Sequence, residues 1–230
     1  MKTIPSAYNS RMRRVAIAIF VVVCTATVAS PQSHDVKQPP SAIELPKASL
    51  WSQYSFQFQP ADDNGPHHWH AVNGILPRGL TLEDSGRLSG LINEQQDSHF
   101  AVIEVNRFDE KQLHNCILRT ETPLTAAWGK NAQVDGNRID GSIKVSNTTG
   151  RDFDLTFAVL AVNDIGRATA IGYQHFSLKQ HTLDMKLPFG DNLSAGNYTV
   201  NVDVVGEEPQ SKRIFRTRLV APKLAISVEP

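Results

Sequence analysis

From Ile43 onward the chain is built of short runs rich in Val, Ile, Phe, Tyr and Thr, in which apolar and polar positions alternate, separated by clusters of Asn, Asp and Gly. Alternation places successive side chains on opposite faces of an extended backbone, whereas an amphipathic helix repeats its apolar positions every three to four residues. No convincing stretch of the helical kind occurs, so the pattern predicts an all-β protein. Strands are expected at 54–59, 67–72, 80–82, 87–90, 99–105 and 113–119 in the first half. In the second half they are expected at 138–147, 152–163, 167–178, 182–189, 197–205 and 212–220, with 125–134 as a seventh. Many short strands with turn residues between them suit two consecutive Ig-like β-sandwich domains, one over 43–121 and one over 122–230.

The most heavily punctuated stretch, "GILPRGLTLEDSGRLSG" at 74–90, still keeps its leucines in phase. Pro77 fixes its own φ and pushes Leu76 into an extended shape, and Gly79 permits a turn before Leu80 and Leu82, which share a face. "EDSG" then reverses the chain, with Gly86 free to take a positive φ, and Leu88 returns toward the face that Leu82 fills. A compact hairpin with a glycine stop at Gly90 follows.

"YSFQF", "PHHWHAVNGILPRGLTLEDSGRLSG" and "FAVIEV" together resemble the He-PIG type of Ig domain, within the cadherin-like group of bacterial secreted and surface proteins. Tyr54, Pro66, Trp69, Gly74, Leu76, Pro77, Gly79, Leu80, Leu82, Gly86, Leu88 and Gly90 carry the likeness, which covers about residues 43–108. The sequence departs from that pattern after the last strand, where Arg107 and Phe108 precede Asp109. The resemblance implies an Ig-like sandwich used for spacing or adhesion. The second half is only generally Ig-like or fibronectin type III-like. Its "LSAGNYTVNVDV" is similar to the penultimate-strand segment of such domains, which implies that the Tyr198 hydroxyl bonds to nearby backbone.

Ahead of the strands, Arg11, Arg13 and Arg14 flank an unbroken apolar run from Val15 to Val23, and Thr27 and Ala29 are small. This predicts a secretory signal over residues 1–29 with cleavage after Ala29. Val15 to Ala29 is shorter than the roughly 20 residues a spanning helix needs, so membrane association is expected only through this segment if it is uncleaved. Residues 30–42, proline-rich and aperiodic, read as a flexible leader. Losing residues 1–29 removes four basic residues and no acid from 23 of each, leaving 19 basic against 23 acidic. That mild acidity gives no footprint for nucleic acid. Cys24 leaves with the signal, and Cys116 alone cannot form an intramolecular disulfide.

Candidate chemistry is sparse. "ADDNG" offers Asp62, Asp63 and Asn64 as hard oxygen ligands, and Asp109, with Glu110 beside it, would cap the same end; calcium is the cofactor they would suit. The alternative is a solvated turn, which Asp and Asn favour for backbone reasons. His68 and His70 project from one strand face opposite Trp69 and offer two imidazoles to a transition metal, too few for a stable site unless His99 or His114 joins them. Cys116 alternates with apolar neighbours and reads as a buried thiol, and Asp152 with Asp154 as the wet side of a strand. No nucleophile elbow, phosphate-cradling glycine loop or cysteine–histidine arrangement is present. The expectation is a non-enzymatic protein, secreted, periplasmic or at the cell surface, that meets a protein or glycan partner. The alternative is an accessory carbohydrate- or small-ligand-binding module, for which Trp51, Trp128 or Tyr173 would form an exposed platform.

Overall fold

The computed structural model describes residues 42–61 and 65–227. These residues fall in one compact unit, and among them every regular element longer than a single turn is a strand. The expected signal segment and all but the last residue of the leader lie outside the described residues. Seven strands make the first sandwich: β1 (Ile43–Glu44), β2 (Gln53–Gln57), β3 (His68–Ala71), β4 (Leu80–Leu82), β5 (Arg87–Leu91), β6 (Ser98–Val105) and β7 (Lys111–Leu118). They form one sheet in the order β1-β7-β6-β3 and a second in the order β2-β5-β4, with β1 parallel to β7 and the other pairs antiparallel.

Eight strands make the second sandwich: β8 (Leu124–Asp135), β9 (Arg138–Asn147), β10 (Phe153–Asn163), β11 (Ala168–Leu178), β12 (Thr182–Asn192), β13 (Gly196–Glu208), β14 (Arg213–Val220) and β15 (Leu224–Ile226). One sheet runs β11-β10-β13-β14, with β15 also on β13, and the other runs β12-β9-β8. Alternation explains the core directly. Phe153, Leu155, Phe157, Val159 and Ala161 of β10 are fully buried and lie beside Val200, Val202 and Val204 of β13 on the same inner face of the sheet, while the residues between them on β10 are partly or wholly exposed. The Tyr198 hydroxyl donates to the Ser194 carbonyl at 2.9 Å, the corner that the sequence implies.

The 74–90 stretch folds as its punctuation requires. Gly79 and Gly86 have φ of 88° and 85°, and Leu80 and Leu88 are buried. Gly90 does more than end a strand. A Cβ there would lie 2.0 Å from the Gly79 carbonyl oxygen, and one on Gly79 would lie 2.2 Å from that of Leu91, so two backbones meet where only glycine fits. Two differences from the sequence pattern stand out. The β3 strand stops at Ala71, where a 3-10 turn at Val72–Gly74 places Asn73 at φ 53°. The short strands β1 and β15 are set by pairing to longer neighbours rather than by any periodicity of their own.

Candidate functional site

At the β6–β7 end of the first sandwich a carboxylate lies in the core. Glu104 occupies the last inward position of β6, directly opposite Trp69 of β3, and its side chain is only 3% exposed. An ionised carboxylate in such a place is costly unless hydrogen-bond donors surround it. Here the Ala61 amide donates to Oε1 at 2.9 Å, His67 Nδ1 lies 2.7 Å from the same oxygen, and His114 Nε2 lies 2.9 Å from Oε2. A carboxylate only accepts, so the imidazole nitrogens facing it carry their protons. The His114 ring is also packed against Trp69 at 5.2 Å. A cavity of about 140 Å³ borders this group, lined by Ala61, His67, Glu104, Glu110, Lys111 and Gln112 among others. The cluster is a polar anchor: it fastens the loop entering β3 to the hairpin β6–β7.

Of the residues expected to take calcium, only Asp109 is among those described. Asp62, Asp63 and Asn64 fall outside the described residues. Asp109 sits at φ 60° in the β6–β7 turn, where Asn106 Oδ1 accepts from the amides of Phe108 and Glu110 at 2.9 and 3.1 Å and Asn106 Nδ2 donates to Glu110 at 2.8 Å. A Cβ on Gly65 would lie 3.2 Å from the Arg107 side chain, which brings Gly65 close to the β6–β7 turn. His68 and His70 project outward from β3 with Trp69 buried between them. His68 Nδ1 lies 2.5 Å from Asp84, and His114 points inward to Glu104 rather than joining them. Among the described residues no three His, Cys, Asp or Glu side chains are grouped to hold a metal ion.

The junction between the sandwiches holds the largest departure from the sequence reading. Trp51, expected as an exposed platform residue, is buried, and with Leu50 it belongs to the core of the second sandwich, although Leu45, Ala48 and Tyr54 on either side belong to the first. Trp51 adopts φ 57° and meets Phe215 edge-on at 5.9 Å, and the guanidinium groups of Arg151 and Arg213 stand over its ring at 4.8 and 5.6 Å. Gly150 donates its amide to the Leu50 carbonyl at 2.9 Å, and a Cβ on Gly150 would lie 2.1 Å from the Trp51 carbonyl oxygen. Buried Asn147 shapes the loop that presents Gly150, donating to the Arg151 carbonyl at 2.8 Å and accepting from the Thr149 amide at 3.0 Å. On the other side, Trp51 donates its amide to Ile92 at 2.6 Å and Ser49 donates to Glu121 at 2.6 Å. Trp128 packs partly buried on the second core, and only Tyr173 is well exposed. The three aromatics therefore share no exposed face.

The thiol and the phenol buried in the first core are quiet. Burial pushes the Cys116 thiol up to about 11, and burial together with the neighbouring Cys116 pushes Tyr54 up to about 12. Neither is ionised near neutral pH, so neither supplies an activated nucleophile. A wider cleft of about 390 Å³ opens at the opposite end of the first sandwich, with Leu76, Phe100 and Leu118 in its lining and an Arg78–Glu94 ion pair of 2.5 Å.

Glu104 and His114 were missed as a pair, though the pattern carries their signal. Phe100, Val102 and Glu104 share one phase of β6, and His114, Cys116 and Leu118 share one phase of β7. A charged or imidazole side chain in step with core residues is a buried polar group awaiting a partner.

No family model and no curated protein matches the chain. Among solved structures it is similar to a DUF3823 family protein from Bacteroides ovatus, at 8% identity and TM-score 0.33 over 76% of this chain and 100% of that one. It is also similar to the extracellular cadherin domains 3–6 of protocadherin gamma B2, at 13% identity and TM-score 0.31 over 81% of this chain and 45% of that one. The fibronectin(III)-like modules of Clostridium thermocellum CbhA match at 10% identity and TM-score 0.27 over 82% and 91%. At such scores the fold rests on the strand pairing described above.

Proposed function

We propose that this chain is a secreted, non-enzymatic interaction and spacer module of the cell exterior or periplasm, with a first sandwich of the He-PIG type of Ig domain. One observation carries the reading: the chain drives Leu50 and Trp51 of the first half into the core of the second sandwich and fastens them there through Gly150, Arg151 and Arg213. Joining two sandwiches through shared side chains holds their end loops and edges at a fixed separation, a property useful for presenting surfaces. The quiet Cys116 and Tyr54 support the same reading. A carbohydrate-binding platform is the weaker reading because Trp51 and Trp128 face the second core.

Chemical cross-linking in the native envelope followed by mass identification tests this proposal. The expected result is a mature chain that begins at or near Ser30 and is cross-linked to a defined partner. Turnover of a defined substrate by the purified protein, abolished by changing a single polar residue, would overturn it.

A further inference from the structure

Among the described residues, the four outermost strands of the second sandwich are not alike. The β14 edge carries Arg213, Arg216 and Arg218; β12 carries Asp184, Lys186, Pro188 and Asp191; β8 carries Lys130 and is broken by two register shifts. Charges, prolines and bulges are the devices that keep an edge from pairing with another chain. The β11 sequence, ATAIGYQHFSL, contains no Asp, Glu, Lys, Arg or Pro over 11 residues. Its one irregularity lies at Ile171, between the pairs Val159–Gly172 and Leu160–Ala170, and Gly172 to Leu178 continue in regular register with β10. Among the described residues no backbone hydrogen bond joins β11 to a strand on its other side.

Apolar groups flank the same edge. Tyr173 is 67% exposed on the outer face of β11. On β12, which returns alongside β11 until Phe189 meets Gly172, Leu183 is 72% exposed. His175, two residues from Tyr173 on the same outer face, is held by both ring nitrogens, 3.1 Å from Thr156 Oγ1 and 3.1 Å from Asp154 Oδ1. Its ring is thus oriented before any partner arrives.

We propose that β11 docks against β11 of a second copy of this chain, antiparallel about a two-fold axis at Gln174, so that the five-stranded sheet continues across the axis into that of the second copy. A two-fold at Gln174 sets Tyr173 of each copy opposite His175 of the other, two identical ring pairs of the kind that stabilise antiparallel sheets. Charge selects this edge for self-pairing. A strand without Asp, Glu, Lys or Arg meets its own copy with no such like-charge pair, whereas a two-fold at Thr217 of β14 would set Arg216 of each copy opposite Arg218 of the other, with a single Asp203 carboxylate in each copy to offset the two arginines.

This inference names a partner for the interaction module proposed above and rests on that reading. Sedimentation over a concentration series tests it with three forms of the whole protein, each checked for an unchanged β-sheet spectrum. The native chain is expected to pass from monomer to dimer in the micromolar range. Tyr173→Lys with His175→Lys places lysine opposite lysine twice and is expected to raise the dissociation constant at least tenfold. Tyr173→Glu with His175→Lys differs from it at one position, places glutamate opposite lysine twice, and is expected to restore the dimer. A native chain that stays monomeric up to the millimolar range, or a double-lysine form as dimeric as the glutamate–lysine form, would overturn the two-fold pairing. Either result leaves the partner capture in the native envelope as the separate measure of the interaction reading.

Discussion

Glu208, at the last inward position of β13, is nearly inaccessible to solvent yet ionised. Burial pushes its pKa up, but the Ser211 hydroxyl and amide at 2.5 and 2.7 Å, the Gln210 amide at 3.0 Å and the Arg151 charge outweigh burial and hold it at about 2. Its ordinary value is 4.5, so the native state favours the charged form and gains roughly 3 kcal/mol from it. That contribution is complete above about pH 4.5 and disappears as the pH falls toward 2. Glu208→Gln is therefore expected to lower the melting temperature near neutral pH, with the gap to the native protein closing on acidification through that window. Parallel melting curves from pH 7 to pH 2 would contradict this. Because Arg151 both pairs with Glu208 at 3.3 Å and stands over Trp51, the loss reaches the junction as well.

At the scale of elements, the hairpin of β4 and β5 depends on two glycines that face each other. Gly90→Ala and Gly79→Ala each place a methyl group on a carbonyl oxygen at a positive φ, and each is expected to cost about 1 to 3 kcal/mol or more in chemical denaturation. Leu80→Ala, which empties a buried position beside them, is expected to cost about 2 to 5 kcal/mol. Full native stability in all three variants would mean that the stretch is not packed. Strands such as β9, β10 and β11 were legible because alternation is local, and Gly79 and Gly86 because a tight reversal demands a positive φ near a fixed place in the sequence. The short β1 was not legible, since a two-residue strand has no period and exists only because Ile43 and Glu44 pair with Cys116 and Ile117. The role of Trp51 was hidden for a related reason: its partners Gly150, Arg151, Arg213 and Phe215 lie about a hundred residues or more along the chain, and no local pattern reports a contact of that range. Glu104 stood in plain phase with Phe100 and Val102, but only the fold brings His67 and His114 to it.

At the scale of the molecule, the junction determines whether the chain presents two independent sandwiches or one body. Trp51→Ala removes the ring that fills the space between Phe215 and the two arginines, and a loss of about 3 to 5 kcal/mol is the range for a buried aromatic. A spacer that holds its surfaces at a fixed separation needs this contact. The most direct measurement is amide relaxation by NMR, which reports the tumbling time of each sandwich within the same sample. One shared tumbling time is expected for Val102, Leu118, Val159 and Val202 in the native protein, splitting into two shorter times in Trp51→Ala while both sandwiches stay folded. Two distinct tumbling times already present in the native protein would contradict the fastened junction and, with it, the proposed spacer.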